Sequence, residues 1–259
     1  MYIGIDLGTS GVKTILTDES GKVVDSASSS LTVAIPQPLW SEQNPEDWWT
    51  ATCATLDELK QRNDLSVVKA LGLAGQMHGA TLLDKVGQVL RPAILWNDGR
   101  SEAQCRTLES TIIKARVITG NLVMPGFTAP KLLWIKENEP DIFKQVDKVL
   151  LPKDYLRYKL TGEFASDMSD SAGTSWLNTG ERSWSKSMLM ACGLSEKHMP
   201  TLYEGNEITG YLTAKTAKRW GMKAVPVVAG AGDNAAGAVG CGIVDAGQAM
   251  LSLGTSGVY

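Results

Sequence analysis

The chain has 259 residues, 43% apolar and 20% charged, with a formal net charge of −3 at pH 7. That is enough apolar material for one large domain or two smaller ones. Without a positive balance it offers no nucleic-acid or lipid-headgroup surface.

Residues 1–35 read as a β-meander. "YIGID" and "VKTILTD" are strands, "ESGK" is a turn, and "VVDSASSSLTV" is the third strand. Next, Asn44 is a good N-cap with Pro45 at the first helical position and Glu46 and Asp47 near the positive helix end. Trp48, Trp49, Cys53, Leu56 and Leu59 follow at helical spacing. "VVKALGLAGQ" predicts a buried strand running into a glycine-rich loop, and "GATLLDKVGQVLRPAILWND" two strands joined by "DKVGQ". Helical patterns cover 101–115, 128–138, 140–146 and 153–160, and the small polar stretch 162–174 reads as a loop. Trp184, Trp220, Met188, Leu189 and Met190 read as packing residues, and Glu196–His198 as solvated surface. "PVVAGAGDNAAGAVGCG" predicts a strand, a tight turn and a small-residue helix, and 244–248 a connector. The expected class is α/β with a mixed sheet flanked by helices.

Cys53, Cys105, Cys192 and Cys241 lack C-x-x-C spacing, so reduced, buried thiols are expected rather than zinc ligands or disulfides. The N-terminus has no signal-peptide pattern, and no stretch approaches the ~18 apolar residues of a membrane span. The cytoplasm is the expected compartment.

One phrase occurs twice: "LGTSGV" is Leu7–Val12 and again Leu253–Val258. Gly8 and Gly11 permit positive φ and close backbone approach, and the turn's N–H groups with the Thr9 and Ser10 hydroxyls can form an anion-binding concavity. A plain hairpin turn explains one copy equally well. Asp6, at the end of the preceding strand, is placed where a divalent cation beside a phosphate could be held. The second copy, with Gly254, Thr255 and Ser256, has Ser252 in that position.

Two such hairpins, one in each of two related lobes, are the signature of the actin, heat-shock chaperone and sugar-kinase superfamily. Within it the chain resembles the FGGY carbohydrate kinases. "GFTAPKLLWIKEN" (Gly126–Asn138) is similar to that family's first signature, with Lys131, Trp134 and Ile135 in place, and "LWSEQNPEDWW" is a usual phrase of the family. The resemblance implies a ribonuclease H-like (actin-like ATPase) lobe over 1–245 carrying sugar site and catalysis. Residues 246–259 would open a second, nucleotide-binding lobe whose remainder is absent.

Gln76, Met77 and His78 lie between glycines in "AGQMHGA", after the buried strand. A lone histidine is commonly structural, but "GQMHG" resembles the form this loop takes in the family's xylulose-phosphorylating members. There the Met and His meet the sugar, which implies that role for Met77 and His78. The glycerol-phosphorylating members carry an Arg-Glu pair here that this chain lacks. "WNDGR" (Trp96–Arg100) reads as an amide, an acid and a base exposed at a turn, with Asp98 either a helix cap or a secondary sugar residue. In "GAGDNAAGAVG" either Asp233 or Asn234 reads as an N-cap on residues alone. The resemblance makes Asp233 the general base, with Asn234 positioning sugar hydroxyls.

The implied reaction is ATP-dependent phosphorylation of D-xylulose to D-xylulose 5-phosphate, with Mg²⁺ at Asp6 and both turns on the nucleotide phosphates. The alternatives are a kinase of this family for another ketose or polyol (ribulose, gluconate, glycerol), or an isolated sugar-binding lobe with little turnover. The partners implied are the sugar and ATP, without nucleic acid or membrane, and a homodimer is compatible with the full-length enzyme. A non-catalytic assembly protein of actin type fits less well, because it has no use for Asp233 and the sugar loop.

Overall fold

The computed structural model describes residues 1–253 and 257–258, the last two and Leu253 by backbone alone. Of the second LGTSGV copy, Gly254, Thr255 and Ser256 therefore lie outside the described residues.

The meander forms as read. Strands β1 (Tyr2–Leu7), β2 (Gly11–Thr17) and β3 (Val23–Ser30) pair antiparallel in chain order. β4 (Ala70–Gly75) then lies parallel to β1 on its other side, Asp6 opposite Ala74 and Leu7 opposite Gly75. β5 (Ile208–Tyr211), β6 (Pro226–Val228) and β7 (Ala231–Gly232) complete a seven-stranded mixed sheet of order β5-β6-β4-β1-β2-β3, with β7 paired further along β4. Ala231 stands opposite Ala74 and Gly232 opposite Gly75.

Alternation along the strands separates two faces. Ile3, Ile5, Leu7, Leu71 and Leu73 are buried in a core under the sheet, together with Trp48, Leu56, Tyr155 and Trp220. Gly4, Asp6, Gly72 and Ala74 line the other face, which stays low where Gly4, Gly72 and Ala74 stand. An open cavity of about 800 Å³ runs over it, bounded by Asp6, Lys13, Ala231 and Ala236. A second apolar core gathers Ala80, Leu82, Ile94, Leu132, Trp176 and Met188. The strands Thr81–Leu83, Ala93–Ile94 and Lys148–Leu150 contribute to both cores.

Helix α1 (Pro45–Arg62) begins as expected: the Asn44 side chain accepts from the Glu46 N–H at 3.2 Å. The pattern over 101–115 yields two helices, α2 (Glu102–Thr111) and α3 (Ala115–Thr119). The run Thr111-Ile112-Ile113 is β-branched, and Ile112 leaves helical geometry at φ −115°. α4 (Thr128–Asn138) matches its expected bounds, α5 (Pro140–Phe143) is shorter, and α6 (Pro152–Thr161) brackets 153–160. "DKVGQ" is a turn whose flanks bridge each other at Leu83–Val89 and Ala80–Ile94, and each flank also pairs outward, Thr81–Leu83 with Lys148–Leu150 and Ala93–Ile94 with Glu42–Gln43. The stretch 162–174 is not a loop; it holds a short strand (Ala165–Asp167), helix α7 (Met168–Ser171) and a 3-10 turn. Helices α8 (Lys186–Ala191), α9 (Ala214–Trp220) and α10 (Asp233–Gly240) follow. Cys53, Cys105 and Cys192 are buried thiols, whereas Cys241, just past α10, is exposed. No helix among the described residues is long and apolar enough to cross a membrane.

Candidate active site

Asp6 and Asp233 meet at the carboxyl ends of parallel strands, where ligands bind in open α/β sheets. Asp6 is the last residue but one of β1 and Asp233 follows β7, with β4 between them. Asp233 is not a cap. Gly232 is the N-cap residue of α10, Asp233 is the first helical residue, and its Oδ1 accepts only from the next N–H, that of Asn234, at 2.8 Å. Crowding at the strand ends raises both carboxyls above the usual aspartate range; the charge of Asp6 adds to the effect on Asp233, and Lys13 opposes it at Asp6. The Asp6 carboxylate makes no hydrogen bond or ion pair among the described residues, which leaves both oxygens available to the cavity.

The first glycine-rich turn is a tight hairpin closed by the Gly8 N–H to the Gly11 carbonyl at 2.9 Å. Contrary to expectation neither glycine uses positive φ. Gly11 is needed for close approach, since a Cβ there would lie 2.7 Å from the Ser29 carbonyl oxygen of β3. The Thr9 hydroxyl is engaged: it donates to Gln76 Oε1 at 3.1 Å and accepts from Trp96 Nε1 at 2.9 Å. Gln76 Nε2 donates to Gln43 Oε1 at 3.0 Å, and Gln43 Nε2 donates back to the Thr9 carbonyl at 2.7 Å. Gln76 is itself buried, and its amide ties the 76–79 loop to the turn. Ser10 is left exposed at the tip.

Met77 and His78 are half-buried beside that network. His78 sits at φ +68°, an uncommon conformation for a residue with a side chain, and the surroundings hold it there. Its carbonyl accepts from Lys131 Nζ at 2.9 Å and from Thr128 Oγ1 at 3.2 Å. Its Nδ1 lies 2.7 Å from the Gly173 carbonyl, and its ring packs on Phe127 at 4.7 Å between centroids. Burial lowers the imidazole pKa to about 4, with Lys131 adding to the effect and Gly173 opposing it. Lys131 is fully buried, and desolvation takes it well below the usual lysine range. Met77 reaches across to Asp233's strand, where a Cβ on Gly232 would lie 2.8 Å from its Cγ.

Asp98 and Arg100 are not exposed, as the sequence had suggested; their side chains are 0% and 1% accessible. Asp98 does not cap a helix either, because α2 starts after Ser101. Its Oδ2 accepts from the Ser41 N–H at 2.6 Å and pairs with Arg100 Nη2 at 2.7 Å. Arg100 also pairs with Glu42 at 2.7 Å and lies over the rings of Trp40 at 3.6 Å and Trp134 at 5.1 Å. Three phrases that stand far apart in the chain, "LWSEQ", "WNDGR" and "KLLWIK", are thus joined at one guanidinium.

Sequence reasoning missed the stretch 165–174. Asp154, Asp167 and Asp170 surround the wholly buried Lys153, whose Nζ lies 2.7, 2.6 and 3.2 Å from their nearest oxygens. Burial disfavours the Lys153 charge, but Asp154, Asp170 and Asp167 outweigh it and hold the ammonium above the usual lysine range. Burial raises Asp170 well above the carboxylate range despite Lys153, helped by Asp154 and Asp167. The available signal within the stretch was two acids, Asp167 and Asp170, three residues apart among small residues, which also describes a solvated loop.

A family model for the FGGY carbohydrate kinases, N-terminal domain, matches residues 1–240. The chain belongs to the FGGY family of carbohydrate kinases. The xylulose kinase of Escherichia coli (strain K12) is 67% identical over 259 residues, all of this chain and 54% of the relative. A crystal structure described as a xyloylose kinase from Brucella ovis superposes with a TM-score of 0.96 at 54% identity, over 99% of this chain and 53% of that one. Gluconate kinase from Lactobacillus acidophilus has a TM-score of 0.93 at 25% identity, over 99% and 52%. The chain thus spans about half the length of the relatives it matches. Its fold is that of the N-terminal lobe of FGGY kinases, actin-like in architecture.

In this FGGY lobe the signature helix α4 braces the 76–79 loop and its surroundings: Lys131 holds the His78 backbone, and Trp134 packs at Arg100. The donor set also suits a magnesium–nucleotide complex. Mg²⁺ is usually held by one or two carboxylates with the remaining positions taken by phosphate and water. No cluster of three or more metal-ligating side chains exists among the described residues, and the single unpaired carboxylate of Asp6 beside an open cavity meets that pattern.

Proposed function

We propose that this chain is the sugar-binding and base-bearing half of an ATP-dependent kinase that converts D-xylulose to D-xylulose 5-phosphate. The observation that carries the reading is the pair Asp6 and Asp233 at the same end of two strands that flank β4, with Met77 and His78 on the loop that follows β4. Residues 1–245 form this lobe in the proposal, and 246–259 open the nucleotide-binding one. The substrate assignment draws on the GQMHG loop and on the 67% identical relative named xylulose kinase.

The sugar hydroxyl is a weak nucleophile, and Asp233 accepts its proton as it attacks the γ-phosphorus of ATP. The raised Asp233 pKa brings the carboxylate closer to the proton affinity that such a base needs. Asn234 orients a neighbouring hydroxyl, while Met77 and His78 fix the other end of the sugar. Gly8, Thr9 and Ser10 shape the turn on which the phosphates rest, with Thr9 held rigid by Gln76 and Trp96. Mg²⁺ held through Asp6 supplies charge neutralisation for the phosphoryl group when bound. ATP as donor and three buried free thiols support a cytoplasmic setting.

The test is ADP release over xylulose, ribulose, glycerol and gluconate, in a full-length kinase carrying this chain. Preference for xylulose is the expected result, and equal rates across the four would overturn the specificity. Turnover retained in Asp233→Ala would overturn the assignment of the base. The second reading, a gluconate or other polyol kinase, rests on the close superposition of the Lactobacillus acidophilus gluconate kinase. Fold alone does not separate the two.

A further inference from the structure

Ser169 stands between the buried ionic cluster and the strand that delivers Asp233. The Gly232 N–H donates to Ser169 Oγ at 3.3 Å, and the Ser169 hydroxyl donates to Asp167 Oδ2 at 2.5 Å. A hydroxyl has one proton, so with that proton on Asp167 its lone pairs face Gly232. Asp167 is fixed in turn: its Oδ1 is ion-paired with Lys153 Nζ at 2.6 Å, and its Oδ2 also accepts the N–H groups of Ser169 and Asp170, capping α7. Lys153 cannot move toward solvent, because its side chain is 0% exposed and two further carboxylates surround it.

Helix α10 has little else to hold its start. None of its residues is buried, it has no side-chain cap, and the Asp233 carboxylate bonds only within its own helix. Gly232 is held by pairing with Gly75, by the wall of Met77, and by Ser169. We propose that Ser169 is a positioning residue for the phosphoryl transfer: it pins the backbone of Gly232 and so sets the direction in which Asp233 meets the sugar hydroxyl. This rests on the reading of Asp233 as the base. The same segment reaches the other side of the sugar, since the Gly173 carbonyl engages His78 Nδ1. One short stretch, anchored on Lys153, thereby fixes both ends of the sugar site.

The experiment has two arms. In a full-length kinase carrying this chain, Ser169→Ala lowers kcat about tenfold while KM for the sugar stays within about twofold, as small misplacements of a reacting group do. Ser169→Thr, which keeps the hydroxyl, restores kcat, and Ser169→Cys, similar in shape but a weak acceptor, does not. In the chain itself, amide hydrogen exchange at Gly232 quickens in the Ala and Cys variants and stays slow in Thr. Wild-type kcat in Ser169→Ala, a loss confined to KM, or unchanged Gly232 exchange would each overturn the proposal. Asp233→Asn is run alongside. Turnover retained there refutes the base, while Gly232 exchange still reports on Ser169.

Discussion

Nδ1 of His78 lies 2.7 Å from the carbonyl oxygen of Gly173. A carbonyl can only accept, so Nδ1 carries the proton and Nε2, which has no hydrogen bond among the described residues, is left as an acceptor, in the proposed function for a sugar hydroxyl. The imidazole pKa, lowered to about 4, keeps this tautomer neutral. For a group depressed in this way the stabilisation is present above the ordinary histidine value and is lost as pH falls toward 4. Sugar affinity by calorimetry should therefore be flat from about pH 8 to about pH 5, with the ring ¹⁵N shifts reporting an Nδ1–H form. A fall in affinity centred on the usual histidine pKa would contradict it.

Gly173 offers a second probe of that bond. A Cβ there would lie 2.4 Å from His78 Cε1 and 2.5 Å from Nδ1, while Lys131 holds the His78 backbone in place. The ring has to turn away. Gly173→Ala should weaken sugar binding about tenfold, or ~1.4 kcal/mol. Undiminished affinity would separate His78 from the sugar.

Asp233 carries a stability cost that its removal exposes. Its carboxyl is raised by burial and by the charge of Asp6, so the folded state favours the protonated form. The favourable contribution exists below the ordinary aspartate pKa and is lost as pH rises through the raised one. Asp233→Asn should then melt higher than the parent at pH 7, with the gain vanishing in strong acid, while turnover is lost. Thermal scans across pH read both directions, and a lower melting temperature at pH 7 would count against the crowding.

Lys153→Met leaves Asp154, Asp167 and Asp170 facing one another without their shared ammonium. Removing one side of a buried ionic cluster typically costs about 3–5 kcal/mol. Urea unfolding should show that loss. A change under about 1 kcal/mol would mean that the acids take up protons and relax at little cost.

What the chain discloses on its own is mostly what is local. Asn44 and Pro45 start α1 because a cap needs only the next few residues, and Val12, Thr14 and Leu16 alternate because β2 does. Asp233 could be placed after an apolar strand, but whether it capped a helix depended on Gly232 taking the cap position. Asp98 looked exposed because its partners Ser41 and Arg100 are brought together only by the fold. The acids of 165–170 looked like a solvated loop because the lysine that draws them inside belongs to α6. The partners of the Gln76 amide were not legible either, since Thr9 and Gln43, which take its two ends, are each more than thirty residues away.

The row Asp6, Ala74 and Ala231 has a consequence for how activity is acquired. These residues come from three distant parts of the chain and are aligned only by parallel pairing of β1, β4 and β7. Such pairings close long loops and form late relative to local hairpins and helices. The β1–β2 hairpin can shape its phosphate turn early, but the proposed base comes into line only once a strand more than two hundred residues downstream has docked. Regain of sugar binding during refolding should therefore trail the appearance of helical signal, so that competence marks the final step of folding.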